Sequence, residues 1–348
     1  MARVIGIDPG TKSFDFCGLE GENVFLDRSV STQEIIKEPG LVSDIIIKAG
    51  ADLVVGPSGF GIPVTSIDDI TERELFLMSL VKKNNEKKNN LGMRRSISFL
   101  KKCNVPVFFI PGVIHLPTVP DYRKINKIDM GTADKLCCAA LGVRDQSLRL
   151  KREFNETTFI ALEMGFGYTA AIAVKNGEVV DGIGGSSGNI GFLSMGGMDA
   201  ELAYLLGGFN KELIFRGGVA TLAETADELI DNDTMLNAFV EGAIKDILEL
   251  TVSVKPDEIL VSGRISRAKG IFEEVKKRVD IAPVRRLEGF NTRYVKEAAQ
   301  GAALIANGLS GGEYSELIDV MKLKKAKGTA LDHILLPEIE ALKNDYGV

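Results

Sequence analysis

The chain sets out one layout twice, and this duplication limits its fold more than any other feature. An apolar run ends on a carboxylate at Asp8 in Val4-Ile5-Gly6-Ile7-Asp8-Pro9-Gly10-Thr11-Lys12-Ser13, and a second ends at Glu163 in Phe159-Ile160-Ala161-Leu162-Glu163-Met164-Gly165-Phe166-Gly167-Tyr168-Thr169. Each carboxylate is followed by a Gly-containing turn, a second apolar run and a polar hairpin. The hairpins, Glu20-Gly21-Glu22-Asn23 and Lys175-Asn176-Gly177-Glu178, both begin 12 residues after the acid (8 to 20, 163 to 175). Two such turns facing each other across a cleft can hold a polyphosphate from both sides, with an acid on each side to manage a metal.

Alternating or continuous apolar runs predict strands over 3–8, 14–19 and 24–30, a helix over 40–50, a strand over 52–56, helices within 71–103, a strand over 105–110 and a helix over 132–142. The second half repeats the order: strands over 158–163, 169–174 and 179–183, helices within 197–254, a strand over 257–261, a helix over 266–278, a strand over 280–284 and a helix over 293–308. Thr71-Glu72-Arg73-Glu74 is a capping box that fixes one helix start. Both halves read β-β-β-α-β-α-β-α, an α/β pattern of mixed sheets covered by helices on both faces. A chain of 348 residues with 45% hydrophobic residues suits two cores. The predicted units are 1–150, 151–310 and a helical tail over 311–348, whose docking the sequence leaves open. The polar stretch Lys82-Lys83-Asn84-Asn85-Glu86-Lys87-Lys88-Asn89-Asn90 reads as a solvated loop.

A net charge of −6 and a pI near 5.3 argue against nucleic-acid or anionic-membrane partners, which demand a basic face. Apolar runs such as Pro106-Val107-Phe108-Phe109-Ile110 fall far short of the roughly 18 residues of a membrane span, and Met1-Ala2-Arg3 leads straight into a strand, so neither a leader nor an anchor is expected. Cys17, Cys103, Cys137 and Cys138 have no CxxC or zinc spacing, which argues against a disulfide framework and an iron–sulfur cluster, although one cysteine per subunit could meet another in a homodimer. A cytoplasmic protein with a small-molecule partner is the expectation.

The first turn places Gly10 where the backbone can approach an anion, with Thr11, Lys12 and Ser13 as donors and Asp8 as a metal ligand; an ordinary Pro-Gly turn, with Asp8 capping its own amides, is an equal alternative. No helix follows either turn, which excludes a dinucleotide fingerprint. In Val261-Ser262-Gly263-Arg264-Ile265-Ser266 a strand ends in a small-residue turn that an adenine could lie against, although a plain β-to-α loop also accounts for it. Asp129-Met130-Gly131-Thr132-Ala133-Asp134-Lys135 opens an Ala-rich helix with Thr132 as its N-cap and Asp134 in the first turn. The small residues of Glu297-Ala298-Ala299-Gln300-Gly301-Ala302-Ala303 permit close contact with another helix.

In this order the five elements resemble the superfamily of acetate and sugar kinases, heat-shock chaperones and actin (ASKHA), over nearly the whole chain. Within it the chain is most similar to an archaeal group of uncharacterised proteins provisionally labelled butyrate-kinase-like. The resemblance implies two ribonuclease H-like (actin-like ATPase) domains with mixed sheets flanking a nucleotide cleft. It makes Asp8–Ser13 the first phosphate motif, Glu163–Thr169 the second, with Gly165, Gly167 and Tyr168 at the nucleotide, and Ser262, Gly263 and Arg264 part of the adenosine motif. The segments from Gly131 to Leu141 and from Glu297 to Leu309 become two connecting helices crossing at a hinge. ATP and Mg2+ are the implied cofactors, with Asp8 and Glu163 on the metal. The second motif usually carries Asp where this chain has the longer Glu163, the adenosine motif usually has paired glycines, and acetate-kinase-type chains have Asn where this one has Asp8.

Phosphoryl transfer depends on positioning and charge neutralisation, so cations near the cleft are informative: Lys12, Arg94, Arg95, Arg123, Lys124 and Arg264. A carboxylate acceptor is ionised already and needs an arginine to hold it, for which Arg123 is a candidate; an alcohol acceptor needs an aspartate base, for which Asp134 and Asp121 both qualify. The leading expectation is an ATP-dependent kinase of a short-chain carboxylate, with Asp8, Asp134, Arg123 and Lys12 as catalytic residues. A kinase of a hydroxylated metabolite and a nucleotide-switched regulator of a protein partner are the alternatives. Phe60, Ile62 and Val64 could line an apolar acceptor pocket, His115 reads as a structural histidine, and Gly184-Gly185-Ser186-Ser187-Gly188-Asn189 as a closing or merely flexible loop.

Overall fold

The computed structural model describes residues 1–82, 90–221 and 225–348; most of the predicted polar loop, 83–89, and the side chain of Arg94 lie outside what it describes. The first half comprises β1 (Arg3–Pro9), β2 (Ser13–Glu20), β3 (Asn23–Ser31), α1 (Thr32–Lys37), α2 (Gly40–Ala49), β4 (Leu53–Val55), β5 (Thr65–Ser66), α3 (Glu72–Ser79), α4 (Asn90–Leu100), β6 (Val107–Phe109), α5 (Asp121–Lys124) and α6 (Ala133–Leu150). The second comprises β7 (Phe159–Met164), β8 (Thr169–Lys175), β9 (Glu178–Ile183), α7 (Ala200–Leu206), α8 (Asp233–Leu250), β10 (Glu258–Ser262), α9 (Ile271–Arg278), β11 (Val284–Arg286) and α10 (Glu297–Leu309), followed by α11 (Ser315–Val320) and α12 (Ile339–Tyr346).

The two sheets are wired alike, in the orders β3-β2-β1-β4-β6-β5 and β9-β8-β7-β10-β11. In each, the first strand pairs antiparallel with the second and parallel with the first strand after the hairpins: β1 with β2 and β4, β7 with β8 and β10. The acids at the ends of β1 and β7 therefore occupy equivalent corners.

Between the sheets lies one core built from both halves, in which Val4 and Leu53 meet Phe159 and Leu260 through α6 and α10. Small residues make this possible. A Cβ on Gly301 of α10 would stand 2.0 Å from the Cys137 carbonyl oxygen of α6, and one on Gly6 of β1 would stand 2.0 Å from the Ala303 nitrogen of α10. The expected crossing of two small-residue helices is thus a backbone-to-backbone contact.

Several boundaries differ from expectation for identifiable reasons. The capping box forms: Thr71 Oγ1 accepts from Arg73 N at 3.2 Å, and Thr71 N donates to Glu74 at 3.1 Å. Thr132 holds the N-cap position of α6, but its hydroxyl donates to Asp134 instead of capping an amide. The helix expected over 266–278 breaks at Gly270 (φ +78°), leaving a single tight turn at Ile265–Arg267 before α9. The helix expected from 293 begins at Glu297, because the amides of Arg293, Tyr294 and Val295 all bind the Asp27 carboxylate, at 2.5, 3.1 and 2.9 Å.

The tail returns to the first half. Tyr314 is buried and its hydroxyl meets Arg144 (2.6 Å) and Glu22; Asn126 N donates to His333 O (2.9 Å), Tyr346 stacks on Phe76 with ring centres 3.6 Å apart, and Arg73 Nε donates to Gly347 O (2.9 Å).

Candidate functional site

Asp8 and Asp15 are register partners across the β1–β2 hairpin, so both project to the same face. Between them stands the ammonium of Lys296, the residue just before α10, 2.7 Å from Asp8 Oδ2 and 3.6 Å from Asp15 Oδ2. The Lys296 amide donates to Asp15 Oδ2 (3.0 Å) and Ser29 Oγ donates to Asp15 Oδ1 (2.6 Å), which fixes the root of the lysine. A Cβ at Gly10 would lie 2.5 Å from the Lys296 ammonium nitrogen and 2.9 Å from the Ser13 carbonyl oxygen, a backbone atom that cannot step aside.

The second turn has a matching arrangement. Lys135 Nζ lies 2.7 Å from Asp134 Oδ2 and 2.7 Å from Glu163 Oε2. The contact with Glu163 has the distance of an ion pair without hydrogen-bond geometry, so Glu163 Oε2 is a buried oxygen lacking a hydrogen bond. Ser262, the register partner of Glu163, is buried with its hydroxyl likewise unpaired. Gly165 and Gly263 leave room for the carboxylate: Cβ atoms there would stand 2.9 and 2.7 Å from its oxygens.

Four acids, Asp8, Asp15, Asp134 and Glu163, thus share two ammonium groups, Lys135 and Lys296. Burial pushes the Asp8 and Glu163 carboxyls above the usual range despite their lysines, with Asp134 adding repulsion to both. Burial also works against charge on Asp134, but Lys135 and the Thr132 hydroxyl outweigh it and hold that carboxyl low. Both lysines are raised in spite of burial, Lys135 by Asp134 and Glu163, Lys296 by Asp8 and Asp15. Lys135 and Lys296 hold the centre of the site, yet nothing in their local sequence marks them. Lys296 reaches Asp8 across 288 residues, and only the position of α10 beneath the first turn brings them together.

The two turns meet. Lys12 Nζ sits 4.0 Å above the Phe166 ring, a Cβ on Gly167 would be 3.0 Å from Thr11 Oγ1, and Arg264 Nη2 donates to Ser13 Oγ at 3.3 Å. The first turn, with Gly10, Thr11, Lys12 and Ser13, therefore lies against the second, with Gly165 and Gly167, and against the loop of Ser262, Gly263 and Arg264. Tyr168 closes the second turn through its carbonyl, which accepts from Gly165 N (2.9 Å), while its ring turns to Phe215.

Other expected residues lie apart from this cluster. Arg123 donates to Val180 O (2.7 Å) and pairs with Asp181 (3.4 Å) on β9; these contacts hold it to the second sheet instead of to Asp8 or Asp134. Lys124 is buried on Leu116 O (2.9 Å), beside Asp121 at 3.9 Å, and Arg95 is exposed. Ile62 lines a cavity of about 410 Å³ with Arg73, Leu77 and Thr329, to which neither turn contributes a residue. Phe60 instead faces Lys211 (4.7 Å), whose ammonium crosses from the second half to Ser79 O (2.5 Å). His115 is buried on the Gly112 amide (3.2 Å), with desolvation pulling its pKa down to about 4. The loop 184–189 is pinned: Ser186 donates twice to Asp129 Oδ2 (3.0 and 2.9 Å) and Asn189 twice to Asp246 Oδ1 (3.1 and 2.8 Å).

Among the described residues no group of three or more His, Cys, Asp or Glu side chains is gathered tightly enough for an all-protein metal cage. Magnesium seldom uses one, taking one or two carboxylates and keeping waters and phosphate oxygens. Asp8 and Glu163 fit that mode, since four carboxyl groups share only two ammonium groups here.

Residues 6–336 match the family described as "Protein of unknown function (DUF1464)". The chain belongs to this family. No curated protein matches its sequence. Among solved structures it is similar to a propionate kinase from Francisella tularensis subsp. tularensis SCHU S4 (TM-score 0.61, 12% identity, covering 87% of this chain and 98% of that one). It is also similar to acetate kinase from Entamoeba histolytica (TM-score 0.58, 12% identity, 79% and 86%), and to a Listeria monocytogenes protein provisionally assigned as an N-acetylmannosamine kinase (TM-score 0.50, 14% identity, 86% and 97%). These likenesses establish the fold alone: two mixed α/β sheets arranged as in those kinases.

Proposed function

We propose that this protein is an ATP-dependent phosphotransferase whose acceptor is a small carboxylate. The observation that carries the reading is the meeting of the two turns over a buried set of acids and ammonium groups, with Arg264 of the third element bonded to Ser13 of the first. Turns that meet in this way offer backbone amides, hydroxyls and cations to a triphosphate from both sides. Magnesium, bound with the nucleotide near Asp8 and Glu163, supplies neutralisation of phosphate charge. The turns orient the chain of phosphates, and Lys12, Thr11 and Ser13 stand where its oxygens would be bound. An acceptor carboxylate oxygen then attacks the terminal phosphorus, the bond to the bridging oxygen breaks, and ADP leaves with the electron pair.

Asp134 favours a carboxylate over an alcohol. Its Oδ1 accepts from Thr132 and its Oδ2 is held by Lys135, which keep it ionised and make it a weak base. An alcohol requires a base, whereas a carboxylate does not. Short acids and polyols supplied with ATP and magnesium, with hydroxylamine as trap, test this directly. Hydroxamate formed from one of the acids is the expected result. Acceptor-dependent ATP consumption without hydroxamate moves the acceptor to the alcohols, and bound ATP with no acceptor-dependent turnover overturns the phosphotransferase reading in favour of a nucleotide-switched regulator.

A further inference from the structure

We infer that Lys296 is a phosphate-binding residue, whose ammonium contacts the terminal phosphoryl group of the nucleotide from inside the first turn. The inference rests on the phosphotransferase reading and adds to it a residue outside every phosphate motif of the sequence.

The argument starts from placement. The ammonium nitrogen would be 2.5 Å from a Cβ on Gly10, so it occupies the space that glycine leaves in the turn. Its root is rigid, because the Lys296 amide is bound to Asp15 at the buried start of α10. Donor capacity comes next. An ammonium has three N–H groups; Asp8 accepts one at 2.7 Å, while Asp15, at 3.6 Å, is an ion-pair neighbour without a hydrogen bond. About 20% of the side chain's surface is open to solvent. Charge completes the case. Lys12, the other cation of this turn, stands 4.0 Å over the Phe166 ring of the second turn, which leaves Lys296 as the cation beside Gly10. A phosphate oxygen arriving at Gly10 therefore meets a preorganised cation on the protein's inner side, and this contact depends on the terminal phosphate being present.

Calorimetric titration of ATP and of ADP, both with excess magnesium, tests the assignment. The main variant is Lys296→Gln, which removes the charge but keeps a polar side chain, with circular dichroism checking its fold; Lys296→Arg keeps the charge. Lys296→Gln is expected to bind ATP at least tenfold more weakly than wild type and ADP less than threefold more weakly, with Lys296→Arg retaining part of the preference for ATP. A merely structural lysine would weaken both nucleotides alike. Equal losses for ATP and ADP, or ATP affinity within threefold of wild type, overturn the inference and leave the phosphotransferase reading intact. Wild-type protein that binds neither nucleotide defeats that reading, and this inference with it.

Discussion

Replacing Gly301 by alanine probes the contact on which the relation between the two halves depends. The added Cβ would lie 2.0 Å from the Cys137 oxygen, 2.5 Å from its carbonyl carbon and 3.0 Å from its Cα. A relaxed non-bonded separation is ~3.5 Å, so about 1.5 Å must be opened. Every atom in the way is backbone, so no rotamer change gives relief and α6 and α10 must part. Overpacking of this kind costs about 1–3 kcal/mol. Alanine returns up to ~1 kcal/mol of helix propensity. Because the obstacle is rigid, the upper part of the range applies, and the net loss should be about 1–2 kcal/mol in urea unfolding. Gly208→Ala is the control: nothing lies within 4 Å of its added Cβ, and it should change stability by less than ~0.5 kcal/mol. Parting of the helices should also separate the turns and weaken ATP binding. Gly301→Ala as stable as wild type, with unchanged ATP affinity, would refute the idea that these helices set the spacing of the halves.

Asp8→Ala should retain the fold, because Lys296 still has Asp15 within 3.6 Å, yet lose roughly 100-fold or more in turnover for want of a preorganised charge; circular dichroism and kinetics together check this. Two buried groups should give opposite pH signatures in equilibrium unfolding. His115 protonates near pH 6.5 when unfolded but only at about 4 when folded. The unfolded chain therefore binds more protons between those values, and wild type loses up to ~3 kcal/mol as the pH falls through them. His115→Gln should remove that acid loss. Asp246 has its pKa raised by burial to about 6, so its contribution is lost as pH rises from about 4 through 6, and Asp246→Asn should abolish a loss of similar size and opposite direction.

The order of strands was legible because each sheet begins with hairpin-linked apolar runs, and the equal spacing from Asp8 to Glu20 and from Glu163 to Lys175 placed both turns correctly. The start of α3 was equally readable from Thr71 and Glu74, a purely local signal. What escaped was set by distant chain. Asp27 captures the amides before Glu297 and so delays α10. Lys296 reaches Asp8 in the first turn only through tertiary packing, and Lys135 was visible merely as the neighbour of Asp134. Arg123 has the charge that a carboxylate acceptor needs, but its partners are Val180 and Asp181 in the other half. The two-residue strand β5 is too short for any periodic signal, and the docking of the tail depends on single contacts such as Tyr346 with Phe76.

The account stands on two turns that meet around one nucleotide, and a Thr11→Cys/Gly167→Cys variant measures this. A side chain at 167 would stand 3.0 Å from that of Thr11, and the four native cysteines are buried. Mild oxidation should join the two turns within one chain, as a mobility shift on non-reducing gels, and ATP with magnesium should slow the reaction by occupying the space between them. Failure to cross-link, or a rate that ATP leaves unchanged, would contradict the claim that these turns form a shared phosphate site.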